Sequence, residues 1–296
     1  MKSITLGDVT VTRITESEGF YPITMLLAPE GGREDWERNR ASLAPKHWDP
    51  ESNEIQASVG SYLLRSAGKN ILIDTGGGNG KERPYFPPVA HLDTPYLKDL
   101  AREGVNPEDV DIVVCTHLHL DHVGWNTVLE NREWVPTFPN ATYFFTSEDY
   151  EFWNPLNERK PKGALINQNV YEDSVAPVHN AGQAKLWSGS FILDENITLV
   201  AAPGHTPGSA VLNVASGTDR AVFAGDIMHN PVQILEPQWN SCFCENPEES
   251  RRTRQAILSG AADTNTLVFA AHFAAGEAAE VERDGDKFRI KGWIPE

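Results

Sequence analysis

The chemistry in this chain is concentrated in T-H-L-H-L-D-H-V-G, where His117, His119, Asp121 and His122 offer four metal-ligand side chains within six residues. With 9 histidines in 296 residues, an H-x-H-x-D-H pattern arises by chance in roughly 5 of 10,000 such chains, so it is read as a metal motif. Alternate residues of an extended segment face one way, which lets His117 and His119 converge on one ion. Asp121 and His122 are then free to serve a second. Imidazole and carboxylate donors suit zinc, with manganese, iron or cobalt as alternatives.

Two ions need more donors, and three isolated candidates end later apolar runs. His205 lies in A-P-G-H-T-P-G, Asp226 in F-A-G-D and His272 in F-A-A-H. Strand ends are where a rigid scaffold projects functional groups.

The elements that must position these residues follow from the pattern. Ile4–Leu6 and Val9–Ile14 flank a Gly7-Asp8 turn, and Ser58–Arg65 pairs with Asn70–Asp74 across Ala67-Gly68-Lys69. Further strands are expected at 111–116, 141–146, 197–202, 209–214, 221–224 and 266–271, with helices at 96–103 and 247–258. Asn246 caps the second helix and Pro247 opens it. Two sheets flanked by helices account for this order. The polar stretch 155–185 reads as an insertion or lid. Gly76-Gly77-Gly78-Asn79-Gly80 lacks the G-K-[ST] of a phosphate loop and reads as a turn.

The ordered set HxHxDH, GHTPG, AGD and a last strand-end histidine resembles the metallo-β-lactamase superfamily in its dinuclear hydrolase form. The resemblance implies one αββα four-layer sandwich domain over 1–296 with the metals at one edge between the sheets. It implies His117, His119 and His205 on one metal, Asp121, His122 and His272 on the other, and Asp226 bridging. It also makes Asp74 a carboxylate that fixes a ligand histidine's tautomer. Acyl-homoserine lactonases of this family typically carry tyrosine three residues after the bridging aspartate; here that position is His229, a candidate substrate-side donor. The stretch G-D-I-M-H-N-P-V-Q and the ligand separations of 83, 21 and 46 residues resemble the methyl parathion hydrolase-like branch. Only 24 residues follow His272, too few for the helical substrate domain of glyoxalase-type thioesterases.

The expected activity is hydrolysis of a small lactone, aryl ester or phosphotriester by a metal-shared hydroxide, with Asp121 handling the proton. A mononuclear iron oxygenase acting on persulfides would not need Asp121, His122 and His272 as a complete set, and a decayed binding protein would not keep all seven positions. β-Lactam hydrolysis is disfavoured because the N-terminus does not read as an export signal.

A formal charge of −17 argues against nucleic-acid and anionic-membrane partners, and no run approaches a membrane span. Three cysteines give no disulfide framework, so a cytoplasmic protein is expected; a homodimer is one open arrangement. Cys115 reads as a core thiol, and Cys242 with Cys244 as too few donors for zinc. His47, His91 and His179 are assigned surface or capping roles, while Phe20, Tyr21, Tyr85, Phe86, Trp125 and Trp239 are candidates to line an apolar pocket.

Overall fold

A computed structural model describes residues 3–157, 161–274 and 277–294. In chain order the strands are β1 (Ser3–Leu6), β2 (Val9–Pro22), β3 (Trp48–Asp49), β4 (Glu54–Ser66), β5 (Lys69–Ile73), β6 (Ile112–Val114), β7 (Thr127–Glu130), β8 (Glu133–Pro136), β9 (Thr142–Thr146) and β10 (Ala184–Trp187). There follow β11 (Ser190–Ile192), β12 (Ile197–Ala201), β13 (Ala210–Ser216), β14 (Asp219–Phe223), β15 (Leu267–Phe269), β16 (Ala278–Asp284) and β17 (Lys287–Ile294). One sheet runs β1-β2-β4-β5-β6-β9-β10, with β3 added on β4. The other runs β11 to β17 in order, and β7-β8 is a separate hairpin.

Side-chain alternation along these strands sorts the apolar residues into layers. Leu64, Ile71, Val114 and Phe144 from the first sheet meet Leu212, Phe223 and Phe269 from the second. Their sequence neighbours Leu63, Leu72, Val113 and Tyr143 point the other way, against Tyr96 and Leu100 of helix Tyr96–Arg102 and Trp153 of helix Ser147–Trp153. On the far side of the second sheet, Val211, Val222 and Val268 pack on Leu258 and Ala261 of helix Pro247–Thr264. Three apolar interfaces separate four layers, which is the αββα sandwich. At the centre, Phe223 stacks on Phe269 with centroids 4.5 Å apart while Tyr62 meets both edge-on. Truncating Phe223 there would cost about 3–5 kcal/mol.

Several elements exceed the sequence reading. β2 runs on to Pro22, and the helix capped by Asn246 continues to Thr264, where Asn265 stops it at φ 50°. The β16–β17 hairpin was not expected, because its Glu280-Val281-Glu282-Arg283 run hides the alternation behind charge, although Asp284-Gly285 marked its turn. Among the described residues, no helix is long and apolar enough to cross a membrane.

Candidate metal centre

Strands β5, β6 and β9 are mutually parallel, as are β14 and β15, and β12 runs with β14 because β13 is antiparallel to both. The loops after β5, β6, β12, β14 and β15 carry Asp74, the His117–His122 run, His205, Asp226 and His272 respectively. Each loop has a local reason for its path. Asp74 sits at φ 56°, a left-handed turn that follows β5 directly, and Gly76-Gly77-Gly78 packs backbone to backbone on Gly124. A Cβ on Gly124 would fall 1.9 Å from the Gly77 carbonyl oxygen, so this glycine-rich stretch is a packing turn, as its sequence indicated. Gly204, at φ 135°, lies against the Ser250 backbone and sets the entry to His205.

The seven candidate ligands come together. One donor atom each from His117, His119, His205 and Asp226 lie within 4.8 Å of one another, as do those from Asp121, His122 and His272. His119 Nδ1 is 2.9 Å from His117 Nε2 and 3.0 Å from His205 Nε2, and Asp226 Oδ2 is 3.4 Å from His205 Nε2. On the other side, Asp226 Oδ1 is 3.2 Å from His122 Nε2 and 3.1 Å from His272 Nε2, while Asp121 lies 3.7 and 3.6 Å from those two nitrogens. Tetrahedral donors at about 2.0–2.1 Å from zinc stand about 3.3–3.4 Å apart, so the donor set fits a divalent cation in each group. Asp226 Oδ1 faces the second group, while Oδ2 lies between the two, 3.4 Å from His205 Nε2 and 3.3 Å from His272 Nε2.

The tautomers agree. His122 Nδ1 donates to Asp74 Oδ2 at 2.8 Å, and His272 Nδ1 donates to the Ser58 carbonyl at 2.9 Å, leaving both Nε2 lone pairs facing the centre. The Thr116 hydroxyl donates to Asp74 and so accepts from His117 Nδ1 at 3.2 Å, which frees His117 Nε2 as well. His205 Nδ1 is backed by the Cys244 sulfur at 3.7 Å. His122 Nε2 and Asp226 Oδ1 are buried without a hydrogen-bond partner among the described residues, as expected of ligand atoms.

Burial pushes the titrating nitrogens of His117 and His205 well down and takes His119 to about 4, which keeps these rings neutral and able to coordinate. For His122 burial acts the same way but is outweighed by Asp226, Asp74 and Asp121, which hold it well above its ordinary value. Burial raises Asp226, yet His122, His272, His229 and His117 together carry it well below the carboxylate range. This concentration of acid against imidazole is a charge pattern that a cation completes.

Beside the centre opens a pocket reached by His119, Asp121, Asp226, His229 and His272. His229 Nε2 is 3.1 Å from Asp226 Oδ2, and its Nδ1 is buried without a partner among the described residues. Apolar side chains, among them Met25, Leu26, Phe86, Val89, Ile166 and Phe243, make most of the remaining wall. Of the aromatic candidates, Tyr21 and Phe86 line it. Phe20 and Tyr85 are exposed. Trp125 instead stacks on Tyr96 and donates to Glu16, and Trp239 packs on Trp36, because each ring finds a better-packed site behind the wall.

His47 is also corrected: it is buried against Trp293, with burial and then Lys46 lowering it to about 4. His91 is exposed beside Glu82, and His179 packs on Tyr150. Cys115 is buried as expected. Three positioning residues had no signal in the sequence. Glu16 accepts from Gly77, Gly78, Trp125 and Thr94 and holds the glycine turn. Arg13 donates to the Ala271 carbonyl next to His272, and Arg254 to the carbonyls of Ile227 and Pro237 on the loop that bears His229.

A family model for the metallo-beta-lactamase superfamily matches residues 57–272. The chain is 29% identical over 256 residues to metallo-beta-lactamase domain-containing protein 1 of Mus musculus, covering 82% of this chain and 80% of that one. Among solved structures it resembles a hydrolase, AbOPH, in the beta lactamase superfamily, with TM-score 0.80 and 23% identity over 99% of this chain and 96% of the other. It likewise resembles AidC, a dizinc quorum-quenching lactonase in complex with a homoserine product, with TM-score 0.77 and 22% identity over 100% and 97%. With its fold, its ligand geometry and the family match in agreement, the chain belongs to the metallo-beta-lactamase superfamily.

Proposed function

We propose that this protein is a dinuclear metal hydrolase of small uncharged esters, with lactones first and aryl esters or phosphotriesters next. The observation that carries the reading is Asp226, whose carboxylate reaches both ligand groups. His117, His119 and His205 would hold one divalent cation, Asp121, His122 and His272 the other, and Asp226 both. Zinc fits the donor chemistry best, with manganese, iron or cobalt as alternatives. Bound there, the pair would supply Lewis acidity towards a carbonyl or phosphoryl oxygen and a water acidified from 15.7 towards roughly 7.

The chain's own residues account for the remaining steps. Asp121, at 21% side-chain exposure the most open of the acids in the cluster, faces the pocket and is the group to take the water's proton and return it to the leaving oxygen. His229 lines the pocket beside Asp226, and its Nε2, the nitrogen next to the Asp226 carboxylate, is the candidate donor to a substrate oxygen. The absence of Lys and Arg among the pocket's described lining residues favours a neutral substrate, since an anion would find no countercharge in the protein wall. The name of AidC, a lactonase of the same fold, supports the lactone class.

The test is turnover of a panel of neutral lactones, aryl esters and phosphotriesters by zinc- or manganese-loaded protein. At least one class should turn over, and Asp226→Ala should abolish it. No turnover of any class by protein carrying two metals per chain would sink the reading.

A further inference from the structure

Helix Ser147–Trp153 stands beside the centre, and Asp149 at its start is wholly buried. Asp149 Oδ2 accepts from the Leu118 backbone N–H at 3.0 Å and from the Thr206 hydroxyl at 2.9 Å, while Oδ1 accepts from the Gly208 N–H at 2.6 Å. Leu118 lies between His117 and His119, and Thr206 follows His205. One carboxylate thus ties together two ligand loops that come from different sheets. The same helix adds two more ties: Thr146, its cap, donates to the Gly208 carbonyl at 2.7 Å, and Trp153 meets the His119 ring edge-on at 5.2 Å. The Asp121, His122 and His272 group is aligned by other residues, Asp74 and the Ser58 carbonyl.

We infer that Asp149 is a positioning residue that sets the spacing of His119 and His205 and thereby the affinity of one metal site of the pair, leaving the other unaffected. This rests on the dinuclear reading above. The chemistry is asymmetric in a way a variant can exploit. Asparagine keeps the shape but replaces one oxygen with an NH₂ group, so whichever way it turns, an N–H faces either the Gly208 N–H or the Leu118 N–H. The two loops must then move apart.

The experiment isolates each site. In His272→Ala the His117, His119 and His205 site remains, and in His205→Ala the Asp121, His122 and His272 site remains. Zinc affinity is measured by chelator competition in both backgrounds, with and without Asp149→Asn. Supporting contacts of this kind are typically worth about 10–100-fold in metal affinity. Asp149→Asn should therefore weaken zinc at least about tenfold in the His272→Ala background and less than twofold in the His205→Ala background. Equal weakening in both, or none in either, overturns the inference. If Asp149→Asn does not fold, Thr206→Val removes one of the three hydrogen bonds and must give the same one-sided loss at smaller size, with an even or absent effect again counting against it. Failure of the dinuclear reading looks different: the unmodified protein would not bind two zinc ions.

Discussion

The two sheets build their halves of the centre by different means. The first sheet supplies His117, His119, Asp121 and His122 from a single loop, whose path no strand pairing dictates. Its shape comes from buried carboxylates and close backbone contacts: Asp74 accepts from the Thr116 N–H at 2.7 Å and from His122, Asp149 accepts from the Leu118 N–H, and Gly124 lies against Gly77. The second sheet supplies His205, Asp226 and His272 one per strand end. Because β14 and β15 are adjacent, at the usual spacing of about 4.8 Å, Asp226 and His272 fall side by side. The loop half therefore depends on a few polar residues, and the strand half chiefly on the ladder, supplemented by Arg13 on the Ala271 carbonyl and by Asp149 on the His205 loop.

Changes on the two halves should differ accordingly. The largest effect belongs to the residue the halves share. Asp226→Ala removes an oxygen from each group and should lower kcat/KM by about three orders of magnitude or more, equivalent to about 4 kcal/mol of transition-state stabilisation. Retention of full rate with two bound metals would contradict its place in both groups. Next comes the loop half. Asp74→Asn sets an NH₂ group against either His122 Nδ1–H or the Thr116 N–H, so both cannot be held, and should weaken metal binding by about 10–100-fold, read by competition with a chelator. A change below twofold would mean the loop holds itself. The smallest effect is expected where a strand-end ligand loses a side contact: Cys244→Ala removes the sulfur behind His205 and should change kcat/KM by less than about threefold. A drop beyond tenfold would show that the Cys244 sulfur itself holds His205 in place.

The same contrast governs how much could be read from the sequence. The seven residues that the fold brings together were legible, because H-x-H-x-D-H packs four donors into six residues and because His205, Asp226 and His272 each end an apolar run. The sheets were legible wherever a strand is buried on both faces, as at Asp111–Thr116, and were missed where one face is charged, as along β16. What could not be read were the residues that brace the centre from behind. Asp149 stands in the first turn of a helix, where acids are common for reasons of the helix dipole alone, and Glu16 and Arg13 lie on a strand with ordinary polar alternation. Their partners, Leu118 and Gly208, Gly77 and Ala271, are backbone groups brought close only by the fold. Part of the pocket wall escaped in the same way: Met25, Leu26 and Phe243 join Tyr21 and Phe86 from segments far apart in the chain.

The central claim is that two ligand groups, joined through Asp226, bind one cation each. It is tested most directly by counting zinc by elemental analysis in the purified protein and in His205→Ala and His272→Ala after saturation and removal of free metal. Two ions in the unmodified chain and one in each variant are the predicted result. One ion in the unmodified chain, or none in both variants, would contradict it.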